Sequence, residues 1–312
     1  MAGTIMLLMM AAAGLWLLHH ALDHSDVFAE RRGQLASAAA GSEEATAENY
    51  LTQSVRATAT SGLTVDFRVL RPSAAGAPLP VLVLLGGHRT GRDAVNLVGN
   101  PQGVVVVALD YPYHGPERPR GVRQVLQSIP AAQRGLLDTP PAVSVALDWL
   151  ATQPWADMRR VELMGVSLGV PFAAVAGALD QRFRRVWLIH GGVDNRAWLA
   201  NRLERKISNR LVRETAATLL HLLAYGPTFR TERWTPQIAP RPLVIIGGLD
   251  DEQMPPENVR RLHAASREPK ELLWTEGRHV GARRPEVIDQ LLTLVRSRMK
   301  EDAASLAAPP AP

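Results

Sequence analysis

The feature that most constrains the fold of this chain is a serine between two glycines, at the point where an apolar strand gives way to a helix. Val161–Met164 has the composition of a buried strand, and Phe172–Ala176 that of a helix built from small residues. Between them stands Gly165-Val166-Ser167-Leu168-Gly169. A strand, a tight turn and a helix in this order predict a sharp bend with Ser167 exposed at its tip.

The residue types of this bend point to nucleophilic chemistry. Gly165 and Gly169 leave room, because a Cβ atom at either position would clash across so sharp a turn. A serine hydroxyl is a weak nucleophile until a base takes its proton. The amide of Leu168 would lie at the N-terminus of the helix, where it can stabilise developing negative charge. The alternative is an ordinary strand-to-helix turn, since glycine and serine are common.

Strands and helices alternate through most of the chain. A hairpin is predicted at 55–70, around the turn Ser61-Gly62. Four apolar runs are typical of strands in a parallel sheet, which are buried on both faces: 81–85, 104–109, 185–190 and 242–246. Residues 117–138 are expected to be irregular, with a helix at 140–152. A chain of 312 residues accommodates one large α/β domain or two small ones.

Glycines or polar residues follow several of these strands. Gly86-Gly87-His88 comes after the first apolar run, and such a glycine-rich loop can leave backbone amides free near the carboxyl edge of the sheet. Asp250 and Asp251 follow the strand at 242–246, and His279 follows a last strand at 271–274. Serine, aspartate and histidine therefore occur in a fixed order, each after a strand.

With these motifs, the chain from about residue 49 to 299 resembles the α/β-hydrolase superfamily. The local appearance is most similar to dienelactone-hydrolase-like and bacterial carboxylesterase sequences. The resemblance implies a mostly parallel, doubly wound sheet with helices on both faces and the site at its carboxyl edge. Dienelactone hydrolases proper use a cysteine nucleophile, and this chain has no cysteine.

The resemblance implies a role for each matching residue. Ser167 is the expected nucleophile, His279 the base, and an aspartate the group that orients the histidine. The family spacing Gly-x-x-Asp-x-x-x-Pro favours Asp251, and Asp250 is the alternative acid. The oxyanion is expected to bind the amides of Leu168 and His88.

Two departures from the family pattern concern neighbouring positions. Many relatives have His-Gly where this chain has Gly86-Gly87, and a further glycine where it has Val170-Pro171. Pro171 fits the first turn of a helix, where its missing N–H costs little. Val170 is expected to crowd the helix against the neighbouring strand.

The regular alternation breaks at residues 194–235. Apolar residues recur there at three- to four-residue steps, which predicts one or two amphipathic helices. Eight basic and four acidic residues give this segment a net charge of +4. We expect a helical lid over the carboxyl edge of the sheet, which would suit an acidic or lipid-surface substrate without requiring one. A plain crossover helix is the alternative.

The two ends of the chain differ in composition from the rest. Residues 5–18 are almost wholly apolar, and a helix extended at both ends, from Met1 to Leu22, is long enough to cross a membrane. We therefore interpret 1–30 as a membrane anchor or export signal, which implies the bacterial inner membrane or periplasm. Residues 31–48 are expected to form a linker, 49–299 the hydrolase domain, and 300–312 a disordered tail.

Composition narrows the remaining classes of function. The net charge of +5 is spread along the chain, without the basic and aromatic cluster of a nucleic-acid-binding protein. His19, His20, Asp23 and His24 could share a helical face and hold a metal, but a polar turn beside the membrane is the preferred interpretation. No metal or organic cofactor is expected.

The sequence thus predicts a serine esterase that cleaves a small-molecule carboxylic ester through an acyl-enzyme. A peptidase or thioesterase on the same fold is the first alternative. A membrane-tethered binding protein without turnover is the second.

Overall fold

The computed structural model describes residues 2–46, 48–74, 77–87, 90–116, 118–204 and 206–307, without the side chains of 2–3 and 300–307. Its strands are β1 (Leu35–Ala40), β2 (Glu44–Ala45), β3 (Tyr50–Ala59), β4 (Thr64–Pro72), β5 (Leu79–Leu85), β6 (Val105–Leu109), β7 (Ala156–Val166), β8 (Arg185–Ile189), β9 (Leu243–Gly248) and β10 (Lys270–Thr275). Its α-helices are α1 (Ala2–Ala21), α2 (Val27–Arg32), α3 (Val95–Val98), α4 (Gly121–Leu150), α5 (Gly169–Leu179), α6 (Asn195–Leu203), α7 (Arg210–Leu223), α8 (Thr231–Trp234), α9 (Pro256–Ala265) and α10 (Pro285–Ala307). Two short 3₁₀ helices span Gly91–Ala94 and Thr235–Gln237.

The strands form one sheet in the order β1-β3-β4-β6-β5-β7-β8-β9-β10, with β2 paired to β3. The pairings among β1 to β4 and between β4 and β6 are antiparallel. From β6 through β10 every pairing is parallel. The carboxyl ends of these strands therefore lie along one edge, and the predicted mostly parallel, doubly wound α/β fold is confirmed.

Each face of the sheet is covered by helices, as the continuous apolar strands predict. In β5, Val81, Val83 and Leu85 point to a core shared with α4 and α5. The alternate residues, Leu82 and Leu84, point to a second core under α3 and α10. Successive side chains of a strand face opposite sides, so burial on both faces requires apolar residues at every position.

Helix α4 differs from the sequence prediction. It runs unbroken through residues 121–150, including Pro130, Pro140 and Pro141, where an irregular segment and a shorter helix were expected. Proline inside a helix removes a hydrogen bond and crowds the preceding turn. Nearly all of the second half, from Gly135 to Leu150, is buried, and this packing outweighs the local cost.

Much of the predicted linker, residues 31–48, is instead regular structure, with residues 35–40 and 44–45 in the sheet. Strand β1 pairs with β3 along the edge, and β2 adds a short second pairing. Just before β1, α2 packs on α4 with the ion pairs Arg31–Asp138 and Arg32–Asp148. Phe28 of α2 is buried against Phe229 and Trp234. The alanine-rich sequence resembles a linker, but β3 offers an unpaired edge that such a strand can cover.

Helix α1 is long and apolar enough to cross a membrane, by length and composition alone. Its window Thr4–Ala21 has a mean hydropathy of 1.6 and is 6% buried. A signal sequence would have the same properties. The C-terminal end of the helix is fixed to the body: the ring of His20 stacks on Tyr225 with centroids 5.0 Å apart, and its Nε2 lies 2.8 Å from Nε2 of Gln133.

The chain end also departs from prediction in part. Helix α10 continues to Ala307, whereas disorder was expected from residue 300. Residues 308–312 lie outside the described residues.

The crowding expected at Val170 is resolved by a neighbouring glycine. Val170 lies in the first turn of α5 and is buried. A Cβ atom on Gly191, just after β8, would lie 2.5 Å from both Cγ atoms of Val170. The branched side chain of residue 170 therefore fits only because residue 191 has none.

We expect Gly191→Ala to destabilise the protein by about 1–3 kcal/mol, because the added methyl overpacks the contact with Val170. In the double variant Val170→Ala/Gly191→Ala, the loss should be smaller than the sum of the two single losses by at least about 0.5 kcal/mol. Urea unfolding of the three variants and the parent gives these free energies. Strict additivity would contradict the proposed contact.

Candidate active site

Ser167 occupies the tip of a strained turn between β7 and α5. Its φ is +53°, in the left-handed region that non-glycine residues rarely adopt. The turn is closed by neighbours: a Cβ on Gly165 would lie 2.7 Å from the carbonyl oxygen of Gly169, and one on Gly169 would lie 2.2 Å from that of Leu85. Both glycines are thus sterically required, as the motif predicts. Backbone strain of this kind is typical of functional sites.

The structure brings Ser167, His279 and Asp251 together. Oγ of Ser167 lies 2.7 Å from Nε2 of His279. Nδ1 of the same ring lies 2.9 Å and 2.7 Å from the two carboxylate oxygens of Asp251. His279 and Asp251 are buried, whereas the alternative acid, Asp250, is exposed. A hydroxyl, an imidazole and a carboxylate therefore form one continuous hydrogen-bonded chain at the carboxyl edge of the sheet.

Asp251 also accepts hydrogen bonds from three further groups. The amides of Gln253 and Met254 each donate to Oδ1 at 2.8 Å. Nδ1 of His190 lies 3.0 Å from Oδ2. Burial alone would raise the pKa of Asp251, but the hydrogen bonds from His190 and His279, with that of Met254, hold it well below its ordinary value. The carboxylate is therefore ionised at neutral pH.

His190 follows β8 and is a buried neighbour that the sequence analysis assigned to no role. It has a positive φ of +52°, and its Nε2 lies 3.1 Å from Oγ1 of Thr275. The amide of Val280 also points at Nδ1 of His190, at 3.1 Å. An ionised carboxylate can only accept a hydrogen bond, so in the contact with Asp251 it is Nδ1 of His190 that donates. A histidine at the carboxyl end of a parallel strand was the available signal.

Glu252 fixes the loop that carries His279. Its Oε2 accepts the backbone N–H of His279 at 3.0 Å, and its Oε1 accepts from Arg284 at 2.9 Å. Burial acts to raise the pKa of Glu252, but these hydrogen bonds lower it to about 2. The residue after the predicted acid thus ties the two loops of the site together.

The predicted oxyanion site is only partly described. Leu168 directly follows Ser167 and caps the N-terminus of α5, as expected. His88, the predicted second donor, lies outside the described residues. Its neighbour Gly87 lies beside the turn that carries Ser167, since a Cβ atom on Gly87 would be 3.7 Å from the Cβ atom of Ser167. The described part of this loop therefore runs beside the hydroxyl group.

One cavity of about 170 Å³ lies on the α5 side of Ser167 and is mainly apolar. Residues 194–235 supply much of its wall, through Trp198 and Leu199 of α6, His221 of α7, and Phe229. Burial lowers the pKa of His221 below its ordinary value, which favours the neutral ring. Part of the predicted amphipathic segment therefore lies beside the serine, whereas Leu211 and Leu219 of α7 are exposed.

A second cavity of about 290 Å³ lies on the other side of Ser167. His279 and Gly87 line it near the serine, and apolar residues of α3 and α10 line much of the rest, including Leu97, Leu291 and Val295. Arg202 and Gln253 also belong to its wall. The hydroxyl of Ser167 thus stands between two apolar spaces. Such a site can accommodate a small molecule with groups on both sides of the reacting bond.

The same side chains are the candidates for metal ligation within the described residues. His190, Asp251 and His279 offer ligand atoms that lie within 4.8 Å of one another. Each of these residues already shares a hydrogen bond with another member of the group. A metal would have to replace these bonds, and with them the contact that orients His279.

Solved structures with this fold include several esterases. The acetyl xylan esterase from Paenibacillus sp. R4 is 18% identical, with 86% of this chain and 92% of that chain covered and a TM-score of 0.60. The acetyl xylan esterase 1 from Thermoanaerobacterium sp. JW/SL YS485 is 16% identical, with 82% of this chain and 88% of that chain covered and a TM-score of 0.57. The glucuronoyl esterase from Solibacter usitatus is 14% identical, with 87% of this chain and 90% of that chain covered and a TM-score of 0.55.

No protein-family model and no curated protein matches the sequence. At these identities the structural similarity establishes the fold, and the chain has the fold of the α/β hydrolases predicted from its motifs.

We expect His190 to act as a positioning residue for Asp251. In His190→Leu the carboxylate loses one imidazole donor and shifts, so kcat for an ester should fall by up to about a hundredfold with little change in KM. In His190→Asn, whose amide can still donate to Asp251, much of the loss should be recovered. Thermal unfolding first establishes that both variants are folded. Steady-state kinetics then measure the changes in kcat and in KM separately. An unchanged kcat in folded His190→Leu would contradict the role.

Proposed function

We propose that the protein hydrolyses carboxylic esters through an acyl-enzyme on Ser167. The observation that carries this proposal is the hydrogen-bonded chain from Ser167 through His279 to Asp251. The positive φ of Ser167 supports it, because the strain holds the hydroxyl out between the two cavities. The esterase names of several solved structures with this fold agree with it.

In the first half of the reaction, His279 takes the proton of Ser167 through Nε2 while Oγ attacks the ester carbonyl carbon. The carbonyl oxygen becomes an oxyanion, which the amide of Leu168 and an amide of the 86–88 loop stabilise. Asp251 holds the imidazole ring and stabilises its positive charge. The C–O bond then breaks, and the alcohol leaves with the proton from His279.

In the second half, water replaces the alcohol. His279 takes one proton of the water, the hydroxide oxygen attacks the acyl carbon, and the bond to Oγ of Ser167 breaks. The proton on His279 returns to Oγ, and the carboxylic acid is released. Asp251 remains ionised throughout, in agreement with its lowered pKa.

The 194–235 segment is proposed to act as a lid over this site. Trp198, Leu199 and Phe229 belong to the wall of the 170 Å³ cavity, so the segment limits the size of one substrate group. The names of the neighbours also make acetylated xylan and a glucuronoyl ester reasonable members of a substrate panel.

We further propose that α1 anchors the protein in a membrane. Its apolar side chains are largely exposed, with Leu8 66% and Leu15 68% accessible. So much exposed apolar surface is unfavourable in water. The docking of His20 on Tyr225 and the ion pair of Asp23 with Arg233 would hold the catalytic domain at a fixed place beside the anchor.

Ser167→Ala should lower kcat for 4-nitrophenyl acetate and butanoate by at least about 10⁴-fold, because the attacking atom is lost. It should also abolish labelling by a fluorophosphonate probe. Ser297→Ala, which removes an exposed hydroxyl on α10, is the matched control and should retain both. Ordinary turnover in the Ser167→Ala variant would overturn the proposal, and absence of labelling in the parent would favour a binding protein.

The same assay separates the related activities. Thioesters and peptide amides with matched acyl groups are tested beside the esters, together with acetylated xylan and a glucuronate ester. A higher kcat/KM for amides or thioesters would assign the site to a peptidase or a thioesterase.

Leu8→Arg/Leu15→Arg should move the protein from the membrane fraction to the soluble fraction, because each charge near the centre of a span costs about 2.5–3.5 kcal/mol. Leu179→Arg, at a half-exposed site on α5, is the control and should stay with the membranes. Fractionation after an alkaline wash measures the distribution. Recovery of the parent in the soluble fraction, with α1 removed according to intact mass, would instead identify an export signal.

A further inference from the structure

Arg202, near the end of α6, lies in the wall of the 290 Å³ cavity that also contains Ser167 and His279. Among the described residues that line this cavity, none is acidic, and Arg202 is the only lysine or arginine. The remaining wall is mainly apolar. One guanidinium thus lies in the wall of the cavity that also contains the reacting hydroxyl, at an exposed position where a ligand can reach it.

Most arginines of the 194–235 segment are neutralised by a carboxylate, but Arg202 is not. Four described arginines form ion pairs: Arg196 with Glu214, Arg213 with Glu204, Arg230 with Glu232 and Arg233 with Asp23. Among the described carboxylates, none lies within ion-pair distance of Arg202 or of Arg210. Of these two unneutralised arginines, only Arg202 lines the cavity.

The guanidinium of Arg202 is held by neutral groups. It lies over the ring of Trp198, 5.2 Å from the centroid, and its Nη1 donates to Oε1 of Gln253 at 2.5 Å. The amide of Gln253 in turn donates to Asp251. Arginine has five N–H donors in a planar fork, and neither contact neutralises its charge. The other donors are therefore available for a second partner.

We propose that Arg202 is a specificity residue that binds an anionic group of the substrate, so that the preferred ester carries a carboxylate or a similar oxyanion. This rests on the esterase function proposed above. A planar guanidinium matches a carboxylate in a bidentate arrangement, and the apolar remainder of the cavity fits the carbon skeleton. The anion can belong to the acyl group or to the alcohol, and kinetics with matched esters distinguish the two.

For the acyl side, 4-nitrophenyl hydrogen adipate is compared with 4-nitrophenyl hexanoate. For the alcohol side, 4-(butanoyloxy)benzoate is compared with phenyl butanoate. Each is assayed with the full-length parent, Arg202→Gln, Arg202→Lys and the control Arg210→Gln. Ratios of kcat/KM between parent and variant for the same ester cancel the intrinsic reactivity of that ester.

Arg202→Gln should lower kcat/KM for one of the anionic esters at least about tenfold more than for its neutral partner, because a charge-assisted pair is lost. Arg202→Lys should recover part of this loss, and Arg210→Gln should change no ratio. Equal losses for anionic and neutral esters would mean that Arg202 acts only through Gln253 on the Asp251 loop, and this overturns the proposal. No selective loss for either anionic ester would also overturn it.

A binding measurement keeps this result separate from the esterase proposal. Calorimetry with Ser167→Ala should show tighter binding of the anionic adipate ester or the anionic benzoate ester than of its neutral partner. The preference should disappear in Ser167→Ala/Arg202→Gln. Such a preference without any turnover in the parent would retain the subsite and reject the esterase, whereas equal binding of both pairs would reject the subsite.

Discussion

The carboxylate of Asp251 is the interaction on which the site depends. It accepts hydrogen bonds from two imidazoles and two backbone amides, and these come from three separate segments of the chain. A buried charge is costly unless it is paired and hydrogen-bonded. When all four hydrogen bonds are made, the carboxylate orients the groups that donate to it, because each donor has one favourable position around the two oxygens. His279 is held in this way with Nε2 toward Ser167.

The parallel sheet makes this convergence possible. Ser167, His190 and the loops with Asp251 and His279 all follow strands whose carboxyl ends lie at one edge. Two of these residues, Ser167 and His190, have backbone conformations in the left-handed region. The large apolar core on both faces of the sheet supplies the stability that tolerates such local strain.

The parts of the fold that follow local rules could be predicted from the sequence. The apolar runs of β5, β6, β8 and β9 are recognisable because nearly every position of these strands is buried. Gly165 and Gly169 mark the turn because no other residue fits. Asp251 could be preferred to Asp250 by its spacing from Pro255, and its carboxylate is the one beside His279.

The remaining parts depend on contacts between distant segments. β1 has a sequence of small residues and becomes a strand only because β3 presents an edge. α4 continues through three prolines because its second half is buried. His190 is 61 residues from Asp251, and its place after β8 indicates the edge of the sheet but not the residue that it contacts there. Local sequence patterns carry no information on such pairings.

The contact between Val170 and Gly191 restricts the order in which substitutions can accumulate during evolution. A chain with small residues at both positions can gain a branched residue at 170 only while 191 is still glycine. Once valine is present, a side chain at 191 destabilises the protein unless residue 170 becomes smaller. The two positions, on different elements, are therefore expected to covary. A homologue with alanine at 191 is expected to have a smaller residue at 170.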